Sequence, residues 1–553
     1  MSHTLPAQQS VSDSLRTLGT TPRKTTMTRM LMMIPSKKVQ RCLLAVLFTT
    51  LATGAHSAAA HELRLAMQSD ITGLDPHDTT DNLSYSVQSA VYERLFQFDR
   101  QMKLVPALAT GYRANDNATE FVIDLRDNVR FSDGAPFNAA AAKTNLDRLA
   151  DQGMGLKRNN MFSMIDHTEI INEHRIKIVL KQPFGAMINT LAHPSAVMIS
   201  PQALKKYSNE NDLRVHPVGT GPFIFTGWAS GRSVSFVKNP NYWEKGWPRV
   251  DKVTFYPTPE SATRVARLRA GEVDAVMPLD AQLTKAIGRD THLKVVHDAS
   301  VLQHYIVINN LKPALKDVRV RRALNYAMDR NIWLRAVHGN MGTVASAPMA
   351  NAIPFYQAQA PYAHDPHKAR ELLKEAGYPD GLSLNMWIAN DTSSILASQL
   401  IKQQLAAAGV RLQVVPMDSA TRTGMIYNVS DPNAARYDLV LRGWSPSTGD
   451  ADWALRPLFT TGAWVPKLDN ESYYSNPQVD DAIQGALGSA DADKRGAQYA
   501  RAQQLIWKDA PVIFLGNPDN LTALSRNLDG VYMLPDTTFA FNHAHFVSDN
   551  VQQ

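Results

Sequence analysis

At 553 residues, 44% hydrophobic and 20% charged, the chain is too long for one ordinary core and too apolar for a disordered polymer, so about two or three lobes are expected. The formal net charge of +6 hints at an anionic partner. Residues 1–60, however, hold seven Lys/Arg (Arg16, Arg23, Lys24, Arg29, Lys37, Lys38, Arg41) and one acid (Asp13). The remainder is formally neutral, which removes the case for nucleic acid or an anionic membrane surface.

The only cysteine, Cys42, lies in the same stretch. A chain continuing from His61 therefore has no disulfide framework, no Cys-ligated metal and no thiol nucleophile. A basic collar at Ser36–Arg41, an apolar run from Cys42 to Thr53 and small residues at Ala55–Ala60 predict a cleavable secretory signal peptide. The run is shorter than the ~20 residues of a membrane span. Met27, Met30, Met32 and Met33 are candidate starts, and Val-Gln-Arg before Cys42 lacks the small-residue motif of lipidation signals.

From His61, Leu63, Leu65 and Met67 alternate as in a strand, Gly73-Leu-Asp-Pro-His77 turns, and Leu83 to Phe98 has helical spacing. Glu120–Arg126 is an alternating strand, Asp133-Gly134 a turn, and Asn138 an N-cap for a helix over Ala139–Leu149. Gly219-Thr-Gly221 precedes Pro222 with no glycine at Ile224, so the dinucleotide fingerprint fails. A strand at Leu382–Ile388, a helix opened by Asp391-Thr-Ser-Ser394, and a strand at Val410–Val415 predict an α/β sheet. Asp438-Leu-Val-Leu is another short strand. It breaks at Gly443-Trp444-Ser-Pro-Ser-Thr-Gly449 into a loop that carries two acids, Asp450 and Asp452.

"LDP", "ERLFQFD", Glu120–Phe137, His216-Pro-Val-Gly-Thr-Gly-Pro-Phe223 and Asp317–Arg330 together resemble the peptide-type solute-binding proteins of bacterial ABC importers, over nearly all of the chain after the leader. Within that family GWSPSTGDADWALRPLF, LDPHDTTDNLS and TLAHPSAVMISPQAL are similar to the glutathione-binding branch. The resemblance implies an α/β, class II periplasmic-binding-protein-like fold: two large lobes with a hinge, plus a smaller α/β domain. The implied division is leader 1–60, first lobe 61–98, small domain 99–216, first lobe 217–301, second lobe 302–522, and first lobe again 523–553. In the family the stretch at 218–223 resembles a crossover between lobes whose glycines permit hinge-like backbone angles.

The implied function is capture of a small peptide, glutathione, by closure of the lobes, and delivery to an inner-membrane permease and its ATPase. No cofactor, nucleic acid or second copy is called for. Other ligands of the same family, a dipeptide or oligopeptide, haem or nickel, are the alternatives. Glutathione carries one ammonium and two carboxylates, so a buried site needs an acid for the first and cations or helix N-terminal amides for the others. Asp450 matches the family position whose carboxylate holds a peptide's amine, with Asp452 next to it and Trp444 as an apolar wall. The arginine that dipeptide binders carry near the helix start at Asp391 is missing here. Arg422 and Arg442 are the candidate cations, each with a competing reading as a salt bridge to a neighbouring lobe. Thr392, Ser393 and Ser394 form a candidate neutral anion cradle. Asn82 and Tyr85 (with Thr80) stand where the family lines its cleft in the first lobe.

A periplasmic hydrolase is the reading from another class. No G-x-S-x-G, H-E-x-x-H or Walker A pattern occurs, and His543-x-His545 lacks a third clustered ligand.

Overall fold

The structure is a computed structural model that describes residues 61–207 and 210–547; the expected leader lies outside them. Strand β1 (Glu62–Met67) begins a seven-stranded sheet. Its Leu63, Leu65, Ala66 and Met67 are all buried, because β1 is central and has both faces covered. Helix α1 (Asn82–Gln88), capped by Asp81, follows. The chain then leaves for a small four-stranded antiparallel sheet of β2 (Ala109–Ala114), β3 (Glu120–Leu125), β4 (Ile165–Asn172) and β5 (Arg175–Leu180), in the order β2-β3-β5-β4. One face of β3 is apolar, and Phe121, Ile123 and Leu125 share a core with helix α2 (Ala139–Ala150). The Asn138 side chain caps that helix by accepting from the Ala141 amide at 3.1 Å.

The first sheet resumes with β6 (Phe223–Ala229), β7 (Ser233–Lys238), β8 (Lys252–Pro257), β9 (Ala275–Met277) and β10 (Leu293–Asp298). The glycines of the 218–223 stretch hold no backbone angle that requires glycine. Neither Gly219 nor Gly221 has a positive φ, and a Cβ on Gly221 would lie 2.6 Å from the Val91 carbonyl carbon. They are glycine because the backbone of Val91 packs directly on them, with the Gly221 amide donating to the Val91 carbonyl at 2.7 Å.

The second large sheet has six strands: β11 (Gln303–Ile308), β12 (Gly342–Val344), β13 (Leu382–Ala389), β14 (Val410–Met417), β15 (Leu439–Trp444) and β16 (Val512–Pro518). Their order is β12-β16-β11-β15-β13-β14. β17 (Asn520–Ser525) then pairs with β10 and β9 in the first sheet. The return therefore falls at Asp519, earlier than the expected boundary at 522, which sits inside β17. The chain crosses between the sheets twice side by side: the Ser300 hydroxyl donates to the Pro518 carbonyl at 2.6 Å and the Asn517 amide to the Leu302 carbonyl at 3.0 Å. Paired crossings of this kind form a hinge.

The small domain also touches the second lobe. The Gly185 amide donates to the Leu487 carbonyl at 2.8 Å, and Asn189 donates to the Gly449 carbonyl at 3.2 Å. Their buried apolar side chains merge into one cluster that runs from Phe121 and Phe162 to Trp387 and Tyr499.

Candidate functional site

β13, β14 and β15 run parallel, so their carboxyl ends at Ala389, Met417 and Trp444 share one edge of the second sheet. The amino end of antiparallel β11 joins them there, with His304 opposite Gly443. Loops and helix starts gather at such an edge, which is where open α/β sheets take ligands. A cavity of about 210 Å³ lies there, lined by His304, Ser393, Ser394, Arg422, Arg442 and Gly443 among others.

Arg422 comes from helix α5 (Ser419–Tyr427), which Asp418 caps and which orients the arginine inward. It is 8% exposed and makes no ion pair among the described residues. Its Nη1 donates to the Leu441 carbonyl at a long 3.3 Å, and its Nε has no partner. Burial, reinforced by Arg442 nearby, lowers its pKa. Glu471 and Asp391 act on it only from beyond ion-pair range, and a buried cation without a direct partner is costly and uncommon; it is the chemistry an anionic ligand would complete.

Arg442, on β15, is different: it pairs with buried Glu471. Burial opposes its charge, yet Glu471 raises its pKa on balance. Arg442 is thus ion-paired within its own lobe instead of to a neighbouring one, and its side chain still lines the cavity.

Helix α4 (Thr392–Ala407) starts at the cavity, but its first turn is already served. Asp391 caps it. The Ser394 amide donates to Asp391 Oδ1 at 2.9 Å, and the Ser393 and Ser394 hydroxyls donate to its two oxygens at 2.7 Å each. Burial works against that carboxylate, but these donors hold its pKa below the usual range. The neutral cradle expected of Thr392, Ser393 and Ser394 is thus taken up by an internal anion, because an ionised carboxylate two and three residues away is the strongest acceptor in reach. Thr392 is exposed.

The Trp444–Asp450 loop packs where the first lobe passes into the small domain, and a Cβ on Gly449 (φ 57°) would meet Phe98 and Met102 within 2.7 Å. Asp450 is 1% exposed and caps helix α6 (Ala451–Phe459), accepting from the Asp452 amide at 2.8 Å. Both its oxygens also accept from Arg495 Nη2 at 2.8 Å. Burial pushes its carboxyl upward and Arg495 opposes this. Asp452 is held by Arg456 at 2.7 and 2.8 Å, one helical turn on. Both acids read as open to a ligand amine therefore have an arginine of the same chain. Trp444 is half-buried and donates Nε1–H to the Trp453 carbonyl at 2.8 Å, packing on that indole instead of standing free as a wall. None of Trp444, Asp450 and Asp452 lines the Arg422 cavity.

In the first lobe Asn82 donates to the Asp536 carbonyl at 2.6 Å and Thr537 Oγ1 at 3.0 Å. Tyr85 donates its hydroxyl to the Thr79 carbonyl and accepts from Arg158 Nε at 2.9 Å. Tyr85 lines a separate cavity of about 30 Å³, with Arg94 and Thr538. Of the residues read from the sequence, Ser393, Ser394, Arg422 and Arg442 converge on one cavity. The same cavity is walled by His304, Trp333 and His338, which the sequence reading passed over.

The chain matches a family model described as bacterial extracellular solute-binding proteins, family 5, middle region, over residues 103–465. It is 40% identical over 487 residues, 88% of this chain and 94% of the other, to the glutathione-binding protein GsiB of Pectobacterium atrosepticum. Among solved structures it superposes on HbpA2 from Haemophilus parasuis with a TM-score of 0.78 and 25% identity, covering 88% of this chain and 100% of that one. It also superposes on an ABC transporter-associated periplasmic binding protein, DppA, from Helicobacter pylori in complex with the peptide STSA. That match has a TM-score of 0.73 and 23% identity over 87% of this chain and 99% of the other, a likeness of fold alone.

Proposed function

The chain belongs to the bacterial extracellular solute-binding proteins of family 5, the substrate-capturing components of ABC importers, and from that premise we propose that it captures glutathione, γ-Glu-Cys-Gly, in the periplasm. Glutathione is closed between the lobes and handed by a monomeric carrier to an inner-membrane permease and its ATPase. The observation that carries this reading is Arg422, a buried guanidinium without an ion pair beside a cavity at the carboxyl edge of a parallel sheet. One ligand carboxylate is its partner.

The ammonium end goes to Asp450. Arg495 and the Asp452 amide take three of the roughly four acceptor positions of that carboxylate, which is 1% exposed and borders neither cavity described above, so the ammonium reaches the fourth only when the Trp444–Asp450 loop moves. Closure that depends on ligand bridging both faces makes the carrier a population switch.

Calorimetric titration of ligand-stripped protein against reduced and oxidised glutathione, a dipeptide panel, haem and nickel tests the reading. Tightest binding of a glutathione form supports it. Tighter binding of a dipeptide, haem or nickel contradicts it, and conversion of any ligand to product contradicts the carrier class altogether.

A further inference from the structure

The cavity beneath Arg422 has a second wall, built by helix α3 (Arg330–His338). Asp329 caps the start of α3, and Gly339, in the left-handed region at φ 61°, ends it. Trp333 and Val337 lie one turn apart on the same face, with His338 adjoining, and all three line the cavity.

Trp333 is 1% exposed. A buried indole N–H ordinarily finds an acceptor, yet Trp333 Nε1 has none among the described residues, and neither has His338 Nε2. Arg422 Nε, in the lining of the same cavity, is also without a partner. Buried polar groups in native proteins are nearly always satisfied, so three unmet nitrogens on side chains that line one space, each covered by neighbouring atoms in this structure, mark donors that a ligand shifting the lining would meet with acceptors. Two of them are obligate donors, the indole and the guanidinium. The carboxylates nearby do not fill the role: Glu471, whose Oε2 is itself without a partner, lies outside the cavity lining and is paired through Oε1 with Arg442, and Asp391 is engaged by Ser393 and Ser394.

We propose that Trp333 and His338 are specificity-determining residues, which together with Arg422 make a set of donors that selects the ligand by a free carboxylate at the end docked here, against the corresponding amide. Burial, with the His304 ring centred 5.3 Å away, lowers the His338 pKa to about 3, so its imidazole is neutral near pH 7. A neutral ring carries one N–H, and a carboxylate in the cavity favours the tautomer that holds it on Nε2. An amide in the same place brings no charge to Arg422, and it sets its own N–H against Trp333 or Arg422 unless His338 takes the tautomer whose Nε2 accepts, so the site favours the free acid through charge and donor count together.

This inference rests on the reading that Arg422 meets a ligand carboxylate. The test titrates the ligand-stripped full chain, with its tryptophan indoles labelled with ¹⁵N, against glutathione and against glutathione amidated at each carboxylate in turn. The wild type should prefer the free acid to one of the two amides by about ten- to a hundredfold. Trp333→Phe and His338→Leu should lose that preference, and His338→Gln, which keeps a donor, should retain it. The indole resonance that disappears in Trp333→Phe should shift on binding the free acid. Variants that keep the wild-type preference, or an indole resonance unmoved by a bound ligand, overturn the proposal.

Should Trp333→Phe not fold, the His338→Leu and His338→Gln pair decides by the same criterion. If the wild type ignores glutathione and binds a dipeptide, the glutathione reading fails while this one is judged on that dipeptide and its C-terminal amide. Binding of neither overturns both.

Discussion

Replacing Arg422 by Met keeps most of the side-chain volume and removes the charge. In the ligand-free protein this deletes one long hydrogen bond to the Leu441 carbonyl, worth about 1 kcal/mol. It also relieves a buried guanidinium that has no ion pair, which works in the opposite direction. Urea denaturation of ligand-stripped Arg422→Met should therefore show stability within about 1 kcal/mol of wild type, in either direction. Affinity should behave differently. Losing one partner of a desolvated charge pair costs about 2–5 kcal/mol, roughly thirty- to several-thousand-fold in Kd. The pairing of an intact fold with a weakened ligand is the signature of a binding residue. An unchanged Kd, or a loss of stability in the ligand-free protein as large as the loss of affinity, would refute the assignment.

Asp450→Asn should destabilise the protein by about 3–5 kcal/mol, because it leaves Arg495 buried and unpaired. The double variant Asp450→Asn with Arg495→Met should recover most of that stability in urea titrations but still bind glutathione at least tenfold more weakly; full affinity would remove Asp450 from the site. Gly185→Val should weaken binding without touching ligand, since a Cβ there would lie 2.1 Å from the Ser489 backbone carbonyl and hold the small domain off the second lobe. Small-angle scattering should show a more open particle in saturating ligand, and a wild-type profile would contradict this use of the contact. His77, fully buried, has its pKa lowered to about 4 chiefly by burial, with Arg148 adding to the effect. The unfolded chain binds the proton first as pH falls through about 6.5, so wild type should lose stability relative to His77→Phe by about 1.4 kcal/mol per unit between pH 6.5 and 4. A difference that does not change with pH would rule that out.

The fold was legible because local and global signals agree. Alternation at Glu120–Leu125, the Asn138 cap and the strand, helix and strand from Leu382 to Val415 each appear where the pattern puts them. The site was legible only in part. That Arg422 is a cation near a ligand-prone edge can be read from the chain; that it makes no ion pair cannot, because this depends on what folding brings near it. Asp450 shows the converse: its partner Arg495 is 45 residues away, on a helix whose charged residues look solvated in one dimension. Asp391 was visible as an N-cap, and its capture of the Ser393 and Ser394 hydroxyls follows from that role, so the cradle could have been discounted at once. Trp333 and Val337 carried helical spacing, which looks the same whether a face meets core or cavity.

The account stands on a ligand carboxylate meeting the guanidinium of Arg422. A crystal structure of the protein grown with glutathione tests this without intermediaries. It should show the peptide between the lobes with a carboxylate oxygen at about 2.7–2.9 Å from an Arg422 nitrogen. A peptide bound elsewhere, with the space beside Arg422 holding only solvent, would contradict it.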